Sequence, residues 1–229
     1  MKKQILFSCC IALSSFTMAQ VRSSVNAKSQ PGFGIRAGIS SSGMRGDAVT
    51  SLNNLLNYSN GMVTTSDHLG FYAGVYASIP AGTNLSIEPG LFYSEKGYDL
   101  TGTLNVKGTE FLNANAKAQL QSSYVDIPIV IKATIGGLQL FAGPQISYLT
   151  KANLHTTAGL LGINLLSTNM DATAQFNRWD AGLTGGIGYL FTNGINLVAS
   201  YDYGLTKIDA NKNLKAYSHA LKLGVGIAF

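Results

Sequence analysis

The chain has 229 residues, of which 12% are Asp, Glu, Lys or Arg, and a formal net charge of +5. That charged share is about half the ~25% usual in soluble domains, yet no apolar run beyond the N-terminus approaches the ~20 residues of a membrane-spanning helix. This composition argues against a helical membrane protein, and the mild, dispersed charge gives no case for nucleic-acid binding, which wants a clustered basic patch.

The first element is "MKKQILFSCCIALSSFTMAQ". Lys2 and Lys3 form a positive n-region, Ile5 to Phe16 an apolar h-region, and Thr17-Met18-Ala19 a cleavage site. Residues 1–19 are expected to be a signal peptide. The apolar stretch is too short for an anchor, and too little of it precedes Cys9 for a lipoprotein signal. Both cysteines, Cys9 and Cys10, would leave with it, so a disulfide or thiol chemistry is not expected. Residues 20–31 are polar and aperiodic, a short flexible lead to a domain spanning 32–229.

From residue 32 apolar side chains recur at every second position, the signature of a strand with one apolar face. The pattern appears eight times, near 32–41, 68–79, 84–96, 121–135, 138–150, 177–191, 195–206 and over the closing "YSHALKLGVGIAF". "PAGT" (80–83), "GG" (136–137) and "TNG" (192–194) are tight turns. The connections 42–67, 97–120, 151–176 and 207–216 are long. Short alternating with long is the pattern of an eight-stranded, antiparallel, up-and-down transmembrane β-barrel, with short periplasmic turns and long outer loops. Both termini then lie on the periplasmic side.

The second face of each strand carries Gly and charge: Arg36, Glu88, Lys96, Asp126, Lys132, Asp180, Asp202 and Lys222 share the inward parity. Eight strands enclose a lumen that side chains just fill. Glycines such as Gly224 make room for Tyr72, Tyr76 and Phe92, and opposite charges can pair. The apolar face carries Tyr93, Tyr148, Trp179, Tyr189, Tyr201, Tyr203, Tyr217 and Phe229, mostly near strand ends, where interface aromatics gather. Pro89, Pro128 and Pro144 fall inside strands and each costs a ladder hydrogen bond, for which bulges beside Gly90 and Gly143 are expected. A soluble calycin-like barrel is the alternative fold; the charged inner parity opposes it.

The stretches "FGIRAGIS" (33–40), "GFYAGVYASI" (70–79), "LSIEPGLFYSEKGYD" (85–99), "YVDIPIVIKA" (124–133), "LFAGPQISYL" (140–149) and "DAGLTGGIGYLF" (180–191) together resemble the outer-membrane β-barrel domain of Bacteroidota, the PorT-like "porin family" barrels. The resemblance covers about 32–229. It implies an outer-membrane barrel, brings no catalytic residues, and opens a PorT-like accessory part in protein secretion as one alternative.

Candidate chemistry is sparse. The lumen charges could form an ion path, but paired charges filling a closed core is the simpler reading. His68, His155 and His219 are dispersed, whereas a metal site needs clustered ligands, so no metal and no cofactor are expected. An outer-membrane enzyme would need a nucleophile beside a base. Asp67-His68 lies near a rim, but no Gly-x-Ser-x-Gly elbow and no phosphate loop occurs. The apolar loop stretches 51–63 and 158–166 read either as a docking surface for a protein or glycan or as segments that fold over the mouth or continue the strands. Lys207, Lys212 and Lys215 suit contact with anionic lipopolysaccharide. A non-enzymatic structural or partner-binding surface protein is the reading that results.

Overall fold

The computed structural model describes residues 31–47, 63–105, 113–160, 163–209 and 215–229. The expected signal peptide, most of the polar lead and most of the apolar stretch 51–63 lie outside the described residues. The strands are β1 (Gly32–Arg45), β2 (Val63–Pro80), β3 (Leu85–Asn105), β4 (Asn113–Ile135), β5 (Leu138–Leu160), β6 (Ile163–Asp171), β7 (Trp179–Leu190), β8 (Ile195–Gly204) and β9 (Tyr217–Ala228).

Each strand pairs antiparallel with its neighbours in the sheet, in the order β4-β3-β2-β1-β9-β8-β7-β5-β6, and β4 also pairs with β5. That last pairing closes a ring of eight. β1 meets β9 in continuous register from Gly34 opposite Ala228 to Arg45 opposite Tyr217. Closure satisfies backbone groups that an open sheet would leave unpaired in lipid. β6 stands outside the ring, bonded to the far half of β5.

The ninth strand and the length of β3, β4 and β5 differ from the sequence expectation, which assigned 97–120 and 151–176 to loops. β4 and β5 each run for 23 residues. A tilted strand crosses a bilayer in ~9–11 residues, so about half of each rises beyond it. The physical reason lies in the pattern. Residues 113–120, "NANAKAQL", carry one large apolar residue, Leu120, which turns to the interior, so an apolar period has almost nothing to report there.

The prolines are not accommodated by bulges. Register shifts occur between Asp67 and Tyr72, between Ser123 and Tyr124, and between Ala158 and Gly159, none at a proline. Pro89 lies opposite Ile129, Phe92 opposite Asp126, and the register is unchanged between them. The ladder simply skips pairs. Across such a gap β4 and β5 approach so closely that a Cβ on Gly143 would overlap the Ile129 carbonyl.

The two faces separate sharply. Phe33, Ile39, Leu69, Ile131 and Ile135 on the outside are each more than 60% exposed, and comparable side chains encircle the ring. Asp126, Gln139 and Asn196 on the inside are each 1% exposed. A soluble monomer keeps contiguous apolar patches to a few hundred Å². This barrel is inverted, with its apolar surface outside, and only lipid makes that arrangement stable.

Candidate functional site: a sealed lumen and an outer wall

The lumen is built in storeys. Nearest the tight turns, Lys132 pairs with Glu88, and Asn196 donates to the Tyr76 hydroxyl at 3.3 Å. Arg36 lies above them with its guanidinium 4.7 Å from the Tyr76 ring centre and about 6 Å from those of Phe92 and Phe141. Arg36 meets aromatic faces rather than a carboxylate at ion-pair distance among the described residues. Its charge is then compensated through ring quadrupoles.

The middle storey is a charge chain. Asp126 accepts from Lys96 and Lys222, both at 3.0 Å, and from the Ser94 hydroxyl at 2.7 Å. Lys222 continues to Asp202 at 2.6 Å, which also accepts from Thr184 at 2.7 Å and Gln145 at 3.2 Å. β3, β4, β5, β7, β8 and β9 each supply a member, so the chain ties opposite walls together. Charges this deep need such complete partnering, since an uncompensated one would cost several kcal/mol. Asp180, higher on β7, is held by the Ser218 hydroxyl at 2.5 Å and makes no ion pair among the described residues. The paired network therefore comprises Glu88, Lys96, Asp126, Lys132, Asp202 and Lys222, with Arg36 and Asp180 compensated otherwise.

Serine, threonine and glutamine complete this network. Ser94, Thr184 and Gln145 share the inward parity, which marks them as lumen residues, but only the tertiary arrangement assigns their partners. A cavity of about 40 Å³ remains among Arg36, Tyr72, Glu88, Asp126, Asp202 and Lys222. Roughly 10–15 Å³ holds one water, so this is room for a few waters and not a channel.

An apolar storey caps the charges. Tyr98, Leu120, Tyr124, Leu149 and Ala152 are buried together, with Met44, Leu154 and Phe176 packed on them. Phe176 arrives on the segment after β6, a short 3-10 turn over Thr173–Gln175. That turn is docked by the Ala152 amide donating to the Thr173 hydroxyl at 3.0 Å and by Ala172 donating to the Ala152 carbonyl at 2.9 Å. Much of the expected 151–176 loop is thus strand, and its last part plugs the lumen.

On the outside, Tyr93 lies opposite Val125, Val125 opposite Tyr148, and Tyr148 opposite Trp179, a row across four strands with an aromatic residue on three of them. Tyr148 and Trp179 meet edge-on at 4.9 Å. Tyr201 stacks on His219 at 6.2 Å, and Arg45 lies over Tyr203 and Tyr217. At the turn end Tyr189 packs on Phe191, and Phe229 is exposed beside Phe33, to whose carbonyl its amide donates at 2.8 Å.

Immediately beyond Tyr93 the outward face turns polar. His68 sits between Glu95 and Asp99, each 3.1 Å from one ring nitrogen. Gln121 donates to Glu95 at 2.8 Å and Gln119 to Asp99 at 3.0 Å. Lys117 lies 3.8 Å from Asp99. The outward face of β3 thus changes from apolar at Leu91 and Tyr93 to acidic at Glu95 and Asp99.

Ser41, Asp67 and His219 also meet outside, but the carboxylate stands between hydroxyl and imidazole, 3.4 Å from the one and 3.7 Å from the other. The hydroxyl faces the carboxylate and not the imidazole, so this trio lacks the serine–histidine–carboxylate order that activates a serine. Among the described residues no group of three or more His, Cys, Asp or Glu could hold a metal ion.

A closed eight-stranded ring with an apolar exterior, aromatic rows and a charged, filled interior is an outer-membrane β-barrel. The sequence matches the outer membrane protein beta-barrel domain family over residues 18–210, and the chain belongs to that family. It is similar in shape to Neisserial surface protein A, at 16% identity and TM-score 0.38, over 86% of this chain and 97% of that one. It is similar to Ail, the attachment invasion locus protein of Yersinia pestis, at 13% identity and TM-score 0.39, over 87% and 99%. It is also similar to OprG from Pseudomonas aeruginosa, at 14% identity and TM-score 0.35, over 88% and 97%. No curated protein matches the sequence.

Proposed function

We propose that this outer-membrane barrel is a non-enzymatic surface protein that binds a partner through the strands standing above the bilayer. The observation that carries this reading is the contrast between its two ends. The lumen is filled by paired charges and capped by Tyr98, Tyr124, Leu149 and Phe176. The far halves of β3, β4 and β5, with β6, form a wall whose outward face is polar. Long ordered strands beyond the membrane serve no need of the barrel itself, since ~9–11 residues suffice to cross.

A cleaved signal peptide at 1–19 and the flexible lead at 20–31 belong to the same reading, as do the interface role of the aromatic rows and contact of basic loop residues with lipopolysaccharide. An accessory part in secretion, suggested by the Bacteroidota PorT-like motifs, ranks second because the described lumen offers no passage. Catalysis ranks third, since the Ser41, Asp67 and His219 trio is wrongly ordered.

The test is surface labelling in intact cells. In a Cys9→Ser, Cys10→Ser background, Gln121→Cys should react with a membrane-impermeant maleimide, whereas Thr83→Cys in a tight turn should react only after the outer membrane is opened. Labelling in the reverse order would overturn the orientation. Steady single-channel conductance in a planar bilayer would overturn the sealed lumen.

A further inference from the structure

Among the described residues β6 is a sheet edge. Among the described residues it pairs only with β5, from Asn153 opposite Asp171 to Leu160 opposite Ile163, and it ends the sheet order. β7 begins at Trp179 and takes over pairing with β5 only from Tyr148 down, so nothing in the ring covers the other side of β6. Residues 166–171 are all exposed. In an antiparallel pair every second residue turns its N–H and C=O away from its partner, so β6 presents a row of donors and acceptors to solvent.

Such edges are normally blunted by lysine, proline or an inward charge. "INLLSTNMD" carries no lysine and no proline, and its one charge, Asp171, stands at the end. Leu166 and Met170, 68% and 57% exposed, lie opposite Ala158 and Leu154 on the face that Leu154 turns to the apolar plug. Among the described residues the edge is open; it is uncharged over most of its length and bears two apolar side chains four residues apart on one face.

We propose that β6 is the docking edge of the wall, and that its ligand is an extended segment of another polypeptide that adds as a further strand. This rests on the partner-binding reading and names its chemistry. Backbone hydrogen bonds would supply affinity and alternate side chains the selectivity. The segment is uncharged over about six residues, with apolar side chains set against Leu166 and Met170. A second copy in the same membrane does not fit. Antiparallel pairing of two β6 strands needs a two-fold axis perpendicular to the sheet, which would turn one barrel upside down in the bilayer.

The test uses the full mature chain refolded in detergent micelles and a fluorescein-labelled nonapeptide of alternating valine and threonine. The peptide should bind, by fluorescence polarisation. The same peptide with alternate amides N-methylated along its β6-facing edge should bind at least tenfold more weakly. The Leu166→Lys, Met170→Lys double variant should also bind at least tenfold more weakly, while retaining the heat-dependent gel shift of a closed barrel. Equal binding of the methylated peptide, undiminished binding by the double variant, or no binding of the plain peptide would overturn the proposal. Clustering of phosphatidylcholine vesicles that carry the protein, lost in the double variant, would also overturn it, by assigning the edge to a copy in a facing membrane. The maleimide labelling of Gln121→Cys reports on the wall's exposure independently, so the parent reading can stand where the edge fails.

Discussion

The membrane half of the barrel and the wall above it are the same strands in two solvents. Along β3 the inward side chains are Glu88, Phe92, Ser94 and Lys96 and then Tyr98, while the outward ones are Ile87, Leu91 and Tyr93 and then Glu95 and Asp99. Lower down, charge is inside and apolar surface outside. Above the aromatic row the polarity reverses, with an apolar plug inside and acidic residues outside. The hydrophobic side of a sheet is set by what lies against each face. Lipid outside forces the lumen to take the polar groups, and water outside lets the interior become an ordinary apolar core.

Four substitutions should break this comparison or sharpen it. The largest effect belongs to Asp126→Ala, which leaves the Lys96 and Lys222 ammonium groups buried without their shared carboxylate. A loss of about 3–5 kcal/mol is expected, read as a lower urea midpoint in detergent with the gel shift retained at low denaturant. An unchanged midpoint would mean that the charges reach water. Val225→Arg puts a charge on the lipid face of β9 at a position 51% exposed, with an expected cost of roughly 2–4 kcal/mol if it lies near mid-bilayer. Membrane assembly should fall, and a silent outcome would show that the outward face is not in lipid.

Gly224→Leu tests the packing inside. A Cβ there would overlap the Tyr72 hydroxyl, so overpacking of about 1–3 kcal/mol should follow, measured by thermal loss of the gel shift. Lys117→Ala, on the wall, removes a half-exposed contact to Asp99 and should change stability by no more than ~1 kcal/mol. The ordering of these four matters more than any single value. A wall substitution as costly as a lumen one would erase the distinction between the halves.

Much of the membrane half was legible in the residues. Period two located the eight ring strands, and parity placed Arg36, Glu88, Asp126, Lys132, Asp180, Asp202 and Lys222 inside. It did not reveal that Arg36 would settle among Tyr76, Phe92 and Phe141, or that Asp180 would take Ser218. Partner choice depends on which strands face each other across the lumen, and the chain order does not state that. The upper wall was not legible, because above the aromatic row the lipid-facing apolar alternation stops and the few apolar residues, such as Tyr98, Leu120 and Leu154, turn to the interior instead. The order "NANAKAQL" looks like a loop until β3 and β5 bracket it. β6 was legible in part, since the apolar stretch 158–166 left open that it continues the strands, but nothing in 167–171 marked a strand. Prolines misled in the other direction, since a local rule predicts bulges where the barrel instead leaves ladder positions unfilled.

By itself the sequence determined which side chains meet lipid and which meet the lumen, because a strand's two faces are set by covalent geometry at every residue. Tertiary structure alone decided how the lumen charges pair, how high the strands rise, and that β6 ends the sheet among the described residues. Those features arise from contacts between strands far apart in the chain, where distance in space, and not position in sequence, sets the energy.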